Sequence, residues 1–297
     1  MDPILPVTKI YTIETAIRAA ALQFERKALY YGHGTDTAID EASWLILHAM
    51  QLSPAQAPEY SAELSETQLN ACNTLLQRRI DERVPAAYLT GQAWFAGHQF
   101  LCDHRALVPR SPLAEFINHQ FYGLLDEVDR PVILDLCTGG GCIAIACAHA
   151  VPSALVHASD ISSDALALAK ENVDLHGMQD RVQLFEGSLF DSLNSRYDLI
   201  ISNPPYVDAR DIAAMPIEFS HEPMLGLAAG DDGLDLVRIM LQTAADYLKP
   251  GGALIVEVGN SWQALEQAYP QIEFDWLEFA NGGDGVFIVF QEQLAAL

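Results

Sequence analysis

The sequence predicts an α/β protein with a mainly parallel sheet, preceded by a small α-helical domain. Three observations predict it. Between Thr12 and about Glu82 the apolar residues recur three or four apart, the period of helices packed on one face. From about Ser111 onward, short apolar runs alternate with amphipathic stretches, the pattern of βαβ units whose strands lie side by side. The segment between them is rich in glycine, aromatic and β-branched residues, as a hairpin would be. The expected division is a helical domain over 1–92, a hairpin connector over 93–110 and an α/β domain over 111–297.

Each element follows from its own pattern. "TIETAIRAAALQFERKALYY", "AIDEASWLILHAM" and "SETQLNACNTLLQRRIDE" read as helices. Asp40 is placed to cap the second, and Ser65 with Gln68 has the spacing of a capping box in the third. The connector "AYLTGQAWFAGHQFLCDHRALVPRSPL" turns at Gly97 and over Asp103–Arg105. A helix is expected near Pro112 to Leu125, then strand "PVILDL", helix "CIAIACAHA", strand "ALVHASD", helix "SSDALALAKENVDLHG", and strands "VQLFEG" and "YDLIISN". A helix near Leu234 to Leu248, strand "ALIVEVG", helix "WQALEQAY", and strands "IEFDWLEF" and "GVFIVF" bring the sheet to seven strands. The last two are joined by "ANGGDG" with no helix between, so they should pair antiparallel. Trp44 and Trp94 read as core aromatics.

Composition narrows the function. Of 297 residues 50% are hydrophobic, enough for a packed core and too many for a disordered chain. Sixteen Lys plus Arg against forty Asp plus Glu leave a formal charge of -24, which repels phosphate backbones and attracts basic partners. The five cysteines, Cys72, Cys102, Cys137, Cys142 and Cys147, include no CxxC pair and read as reduced packing residues. The nine histidines show no HExxH or similar spacing, so no metal is expected. The amino-terminal stretch lacks a basic region followed by an apolar one, and no apolar run is long enough to span a bilayer; a soluble cytoplasmic protein is expected.

"VILDLCTGGGCIAIACA" is a buried strand, a glycine-rich turn and a helix. Gly139, Gly140 and Gly141 let the backbone approach a ligand, and the helix start offers unpaired N–H groups. The plain alternative is a tight turn with no room for a Cβ. Asp160 adds weight to the ligand reading: it ends the next strand, about 20 positions after Gly139, where a nucleotide cofactor presents its ribose hydroxyls. Dinucleotide fingerprints run GxGxxG, whereas these glycines are contiguous and acidic Asp135 sits two residues before the turn. That favours S-adenosylmethionine, whose ammonium wants a carboxylate or carbonyl; Asp135 acts directly or by orienting the loop.

"LIISNPPYVDA" falls at the end of the fourth strand, where α/β sheets bind ligands. Pro204 and Pro205 remove two N–H donors and stop the ladder, leaving carbonyls to accept other hydrogen bonds. Asn203 adds a side-chain acceptor. Two adjacent acceptors hold both hydrogens of a planar NH2 group, and the Tyr206 ring can lie on its π face. Gripping both hydrogens while aiming the nitrogen at a methyl group favours pyramidalisation without a strong base.

"DLCTGGGC", Asp160 and "NPPYV", in this order, resemble the class I, seven-stranded, Rossmann-like S-adenosylmethionine-dependent methyltransferases with an NPPY motif. "YLTGQAWFAGHQF", "LVPRSPLAE", "HEPMLGLAAGDDGLDLVRIM" and "EVGNSWQALEQAYP" are similar to the HemK-type protein-(glutamine-N5) methyltransferase family. "LVPRSP" is closer to its PrmB branch, which modifies a glutamine of ribosomal protein uL3, than to the release-factor enzymes, whose methylation is the sister reading. The resemblance covers nearly the full chain. It implies methyl transfer to a glutamine side-chain nitrogen of a basic protein, uL3 or a ribosome assembly intermediate, with the helical domain helping to bind it. It also implies that Asn203 and the Pro204 carbonyl, with Pro205 beside them, grip the amide under Tyr206. The turn Cys137, Thr138, Gly139, Gly140 and Gly141 would surround the methionine part, Asp160 and Ile161 the ribose, and Ser188 with Leu189 the adenine. Three positions depart from the family pattern: Cys137 stands where glycine is usual, Gly140 where serine is common, and Ser188 where an acid often meets the adenine amine.

Arg110 meets either a ligand carboxylate or a structural acid, and Glu222, Asp231 and Asp232 shape either a rim or a loop. An adenine-N6 methyltransferase would use the same clamp, but the charge opposes DNA or RNA binding, no basic aromatic patch appears, and no target-recognition domain is left over. A non-catalytic cofactor-binding partner should show a damaged clamp, and here all four clamp residues are present.

Overall fold

In the computed structural model residues 3–52, 58–280 and 282–296 are described, so Asn281 of the "ANGGDG" turn and the first two residues lie outside the description. Two units emerge: Met1–Ala93 with Pro216–His221, and Trp94–Met215 with Glu222–Leu297. The inclusion of Pro216–His221 in the first unit has no counterpart in the sequence pattern.

The first unit contains α1 (Ile13–Arg26), α2 (Ala38–Ala49), α3 (Glu66–Asp81), the short α4 (Ala86–Thr90) and the start of β1 (Gln92–Phe95). Ile13, Ile17 and Phe24 of α1, Leu45 and Ile46 of α2, and Leu69, Cys72 and Leu76 of α3 form one apolar core. The Ser65–Gln68 capping box is present, and Thr12 with Thr15 forms a second one. Asp40 does not cap α2. Thr37 does, its hydroxyl accepting from the Asp40 N–H, and Asp40 sits in the first turn where its charge suits the helix dipole.

Arg79 is fully buried in this unit. It donates to Glu41 at 2.6 Å, to Glu218 at 3.3 Å and to the Tyr30 carbonyl at 2.7 Å, and Arg83 adds a bond to Glu218 at 3.2 Å. Glu218 also accepts from the Tyr30 N–H at 3.0 Å. Two cations thus face two buried anions, with Arg83 at the partly exposed edge, and Glu218 fixes Pro216–His221 to the helices.

The second unit runs β2 (His98–Leu101), α5 (Leu113–Asn118), β3 (Val132–Leu136), α6 (Cys142–Ala150), β4 (Leu155–Asp160), α7 (Ser163–Leu175), β5 (Val182–Glu186), β6 (Tyr197–Ser202), α8 (Ala209–Ala214), α9 (Asp235–Tyr247), β7 (Leu248–Glu257), α10 (Trp262–Ala268), β8 (Asp275–Trp276), β9 (Val286–Phe290) and α11 (Gln291–Leu294). The sheet order is β5-β4-β3-β6-β7-β9-β8, with only β9 antiparallel to its neighbours. Ile133, Leu199, Ile201 and Ile255 pack with α6, while Leu134, Ile200, Leu254 and Phe287 pack with α9. Burial of both faces explains the continuous apolar strands.

Three expectations need correction. The helix expected to Leu125 stops at Asn118, and Gln120, Phe121 and Tyr122 take φ of 51°, 58° and 49° in a turn that buries Phe121 against Phe116. Burial of that ring outweighs helix propagation. Strand "IEFDWLEF" contracts to the two residues of β8. Trp94 is 46% exposed, because Ala93 and Phe95 take the inward positions of β1 and alternation turns Trp94 outward. Among the described residues, no helix is long and apolar enough to cross a membrane.

Candidate active site

The strand order reverses between β3 and β6, and the chain leaves both strands at the same edge, a position where open α/β sheets form their binding crevice. The glycine turn follows β3 and Asn203–Tyr206 follows β6. The Ser202 hydroxyl donates to the Leu136 carbonyl at 2.7 Å and holds the two strand ends together.

Asp135 is fully buried at the end of β3. Its Oδ2 accepts from the Thr138 hydroxyl at 2.5 Å and from the Ala144 N–H in the first turn of α6 at 3.0 Å, while its Oδ1 has no hydrogen-bond partner. It therefore orients the turn. Burial pushes its carboxyl up to about 7, against the pull of these two bonds. Asp160 lies against the same turn, with Oδ2 accepting from the Gly139 N–H at 2.8 Å and Oδ1 from the Ser162 N–H at 2.9 Å; burial raises its carboxyl as well. Each oxygen keeps a second lone pair for a hydroxyl. Thr138 N–H to the Ser159 carbonyl, Gly187 N–H to the Asp160 carbonyl and Ser159 hydroxyl to the Leu189 carbonyl stitch the ends of β3, β4 and β5 into one rim. Ile161 and Ser188 are exposed there, while Leu189 is buried.

The three departures from the family pattern now have physical readings. Cys137 has φ of 58°, a left-handed backbone that glycine adopts more easily, and burial raises its thiol far above the ordinary range. Gly140 does not have a positive φ, and a Cβ there would meet Leu168 at an ordinary 3.4 Å, so this position does not require glycine. Gly141 does: its φ is 81° and a Cβ would press on Ala169 at 3.2 Å. Ser188 presents an exposed hydroxyl on this rim where the family pattern often has an acid. All five cysteines are free.

Asn203, half-buried, donates to the Arg110 carbonyl at 3.5 Å, and Pro204 and Pro205 are buried. No described residue hydrogen-bonds to Asn203 Oδ1 or to the Pro204 carbonyl. Both acceptors, on consecutive residues, are therefore unengaged. Tyr206 donates its hydroxyl to Glu257 Oε1 at 2.9 Å, and Ser111 donates to Glu257 Oε2 at 2.5 Å. Glu257 is 4% exposed, and burial lifts its carboxyl to about 7; burial and this carboxyl together raise the Tyr206 phenol well above its ordinary value. The Ser261 hydroxyl holds the Tyr206 carbonyl at 3.2 Å, and the Gly259 backbone lies so close to the ring that a Cβ would stand 2.6 Å from it. Beyond the motif, Val207 N–H donates to the Leu227 carbonyl and Ala229 N–H to the Val207 carbonyl.

Glu257, Ser111, Ser261 and Gly259 were not foreseen as site residues, although an acid ending the apolar run "ALIVE" is a signal like Asp135 in "VILD". Arg110 takes the structural option: it makes a bidentate pair with Glu222 at 2.7 and 2.6 Å, and Glu222, 5% exposed, also accepts from the Val108 N–H. Asp232 pairs with Arg238.

A glycine turn, an acid on the next strand and an Asn-Pro-Pro-Tyr segment at the switch point are the features of a class I S-adenosylmethionine-dependent methyltransferase. The Methyltransferase small domain family matches residues 121–219 and the PrmC N-terminal domain family residues 17–91. Curated relatives each named "Ribosomal protein uL3 glutamine methyltransferase" are 45% identical over 290 residues in Neisseria gonorrhoeae, covering 96% of this chain and 96% of that protein, and 48% identical over 291 residues in Xanthomonas campestris, covering 97% and 94%. A third, from Neisseria meningitidis, is 45% identical over 96% of this chain and 95% of its own length. The chain belongs to the ribosomal protein uL3 glutamine methyltransferase family, and its methyl donor is S-adenosylmethionine.

Proposed function

We propose that this chain methylates the side-chain nitrogen of a glutamine in ribosomal protein uL3, in the cytoplasm. The observation that supports the reading is that Asn203 Oδ1 and the Pro204 carbonyl, acceptors on consecutive residues, take no hydrogen bond from a described residue, next to a Tyr206 whose ring Glu257, Ser261 and Gly259 hold in place. The clamp takes both amide hydrogens. Tyr206 covers the amide face, and Pro205 keeps the backbone from rejoining the sheet. S-adenosylmethionine, when bound, supplies an electrophilic methyl group on a sulfonium. Asp160 and Ile161 serve its ribose, Ser188 and Leu189 its adenine, and Cys137 to Gly141 its methionine part, with Asp135 orienting the turn through Thr138. Stripping one acceptor removes an interaction that strengthens as the nitrogen loses its planarity, so it acts on the rate more than on binding.

The charge of -24 suits a strongly basic ribosomal protein, whether free or in an assembly intermediate, and disfavours nucleic acid. The experiment is incubation with methyl-labelled S-adenosylmethionine and a lysate from cells lacking this gene, followed by mass spectrometry. A single labelled basic ribosomal protein, carrying methylglutamine and methylated more slowly as salt rises, is expected. In Asn203→Ala the rate should fall at least about a hundredfold while cofactor affinity by calorimetry stays within a few-fold. Label in a release factor or in nucleic acid, or none at all, would overturn the assignment.

A further inference from the structure

Three histidines that the proposed methyl-transfer chemistry does not use meet at one place in the second unit. His98 begins β2, His149 lies in the last turn of α6 and His176 follows the end of α7. Each offers one ring nitrogen, and the three nitrogens all lie within 4.8 Å of one another. All three side chains are half-buried and reachable from solvent.

The hydrogen bonds decide where the lone pairs are. His176 Nε2 is 2.9 Å from the Gln99 carbonyl. A carbonyl only accepts, so Nε2 carries the proton and the neutral ring leaves Nδ1 bare. That Nδ1 accepts from His149 Nε2–H at 3.1 Å, and this shared proton is the one a metal ion would displace. A ring fixed by a carbonyl on one nitrogen, with the other turned toward a second imidazole, is the arrangement in which outer partners hold metal-binding histidines. Two nitrogens bound to one tetrahedral zinc at about 2.0–2.1 Å stand roughly 3.3 Å apart, close to the observed spacing. His98 stacks on His149 with centroids 4.0 Å apart and planes 14° from parallel. Its ring nitrogen lies within 4.8 Å of those of His149 and His176.

We propose that His98, His149 and His176 form a binding site for a divalent transition-metal ion of the zinc type. Imidazoles without a carboxylate or thiolate select such an ion over magnesium or calcium, and three protein ligands leave a fourth position to water. His149 lies about 10 Å along α6 from the glycine turn at that helix's start, so the ion is separate from the methyl-transfer site. It acts as a fastener. β2 is already joined to α7 by Asn172, which bonds the Leu101 N–H and carbonyl and also the Gly140 carbonyl. An ion shared by β2, α6 and α7 would brace the same frame from its other end. Local spacing hides the site, because the three residues come from three separate elements.

The test is calorimetric titration of the metal-free full chain with Zn2+, backed by the absorption spectrum of the Co2+ form. One ion per chain is expected, with a cobalt spectrum of nitrogen and oxygen ligands. His149→Ala should weaken binding at least about tenfold. His98→Ala should do the same; it leaves the His149–His176 bond intact and so keeps the fold if His149→Ala does not. Absence of stoichiometric binding, unchanged affinity in folded His98→Ala, or a thiolate-to-cobalt charge-transfer band would overturn the proposal.

Discussion

Replacing Glu257 with glutamine keeps the shape of the side chain that holds Tyr206 and Ser111 while removing its ionisation. The carboxyl is 4% exposed, and burial raises it from 4.5 to about 7. A raised acid favours its protonated form in the fold. Its contribution to stability is complete below about 4.5 and is lost as pH climbs through about 7. At 1.36 kcal/mol per unit, the loss is about 3 kcal/mol. Glu257→Gln does not titrate, so its stability relative to wild type should rise by about 3 kcal/mol between pH 4.5 and pH 8. Urea unfolding of both proteins across that range measures the difference, and the other raised carboxyls, Asp135 and Asp160, cancel in the comparison. A difference that changes by less than about 1 kcal/mol would refute the claim that Glu257 is held in a dry site. The amide still offers one acceptor to the Tyr206 hydroxyl, so methyl transfer should survive far better than in Glu257→Ala, which leaves two hydroxyls without their partner.

Two further outcomes follow from the packing. Gly259→Ala places a Cβ 2.6 Å from the Tyr206 ring at a φ of 47°, so the ring must move; the turnover rate should fall about tenfold or more while cofactor affinity by calorimetry is unchanged, and a rate within twofold would count against the tyrosine's positioning role. Arg79→Met strands Glu41 in a buried site, while Glu218 keeps Arg83 and the Tyr30 N–H, and should cost about 3–5 kcal/mol in urea unfolding followed by circular dichroism; a cost below about 1 kcal/mol would mean that the pocket hydrates or relaxes around Glu41.

What the sequence made legible, and what it did not, follows from how far apart the interacting residues are. Helix α6 begins and ends where "CIAIACAHA" does, because Gly141 precedes it and Pro152 forces Val151 out of the helical conformation after it. The glycine turn and "NPPY" are contiguous strings whose chemistry is carried by neighbours in the chain. Glu257 is not of this kind. Its place beside the clamp depends on β7 lying next to β6 with Ser202 level with Val256, which sets Glu257 one strand over from Asn203. Nothing local in "ALIVEVG" specifies that neighbour, since the sheet order reverses at β3 and β6. The same holds for Ser111, for Glu218 among the helices, and for the three histidines. Trp94 fails for a different reason: a four-residue strand with two adjacent aromatics is too short to show from its pattern which one faces inward, and Phe95 takes the inner face. The residues proposed to touch a ligand therefore sit in short readable motifs, whereas those that fix their orientation are brought in by strand order and register. A variant of Glu257 or Gly259 consequently reports on the three-dimensional site in a way that no change within the motif can.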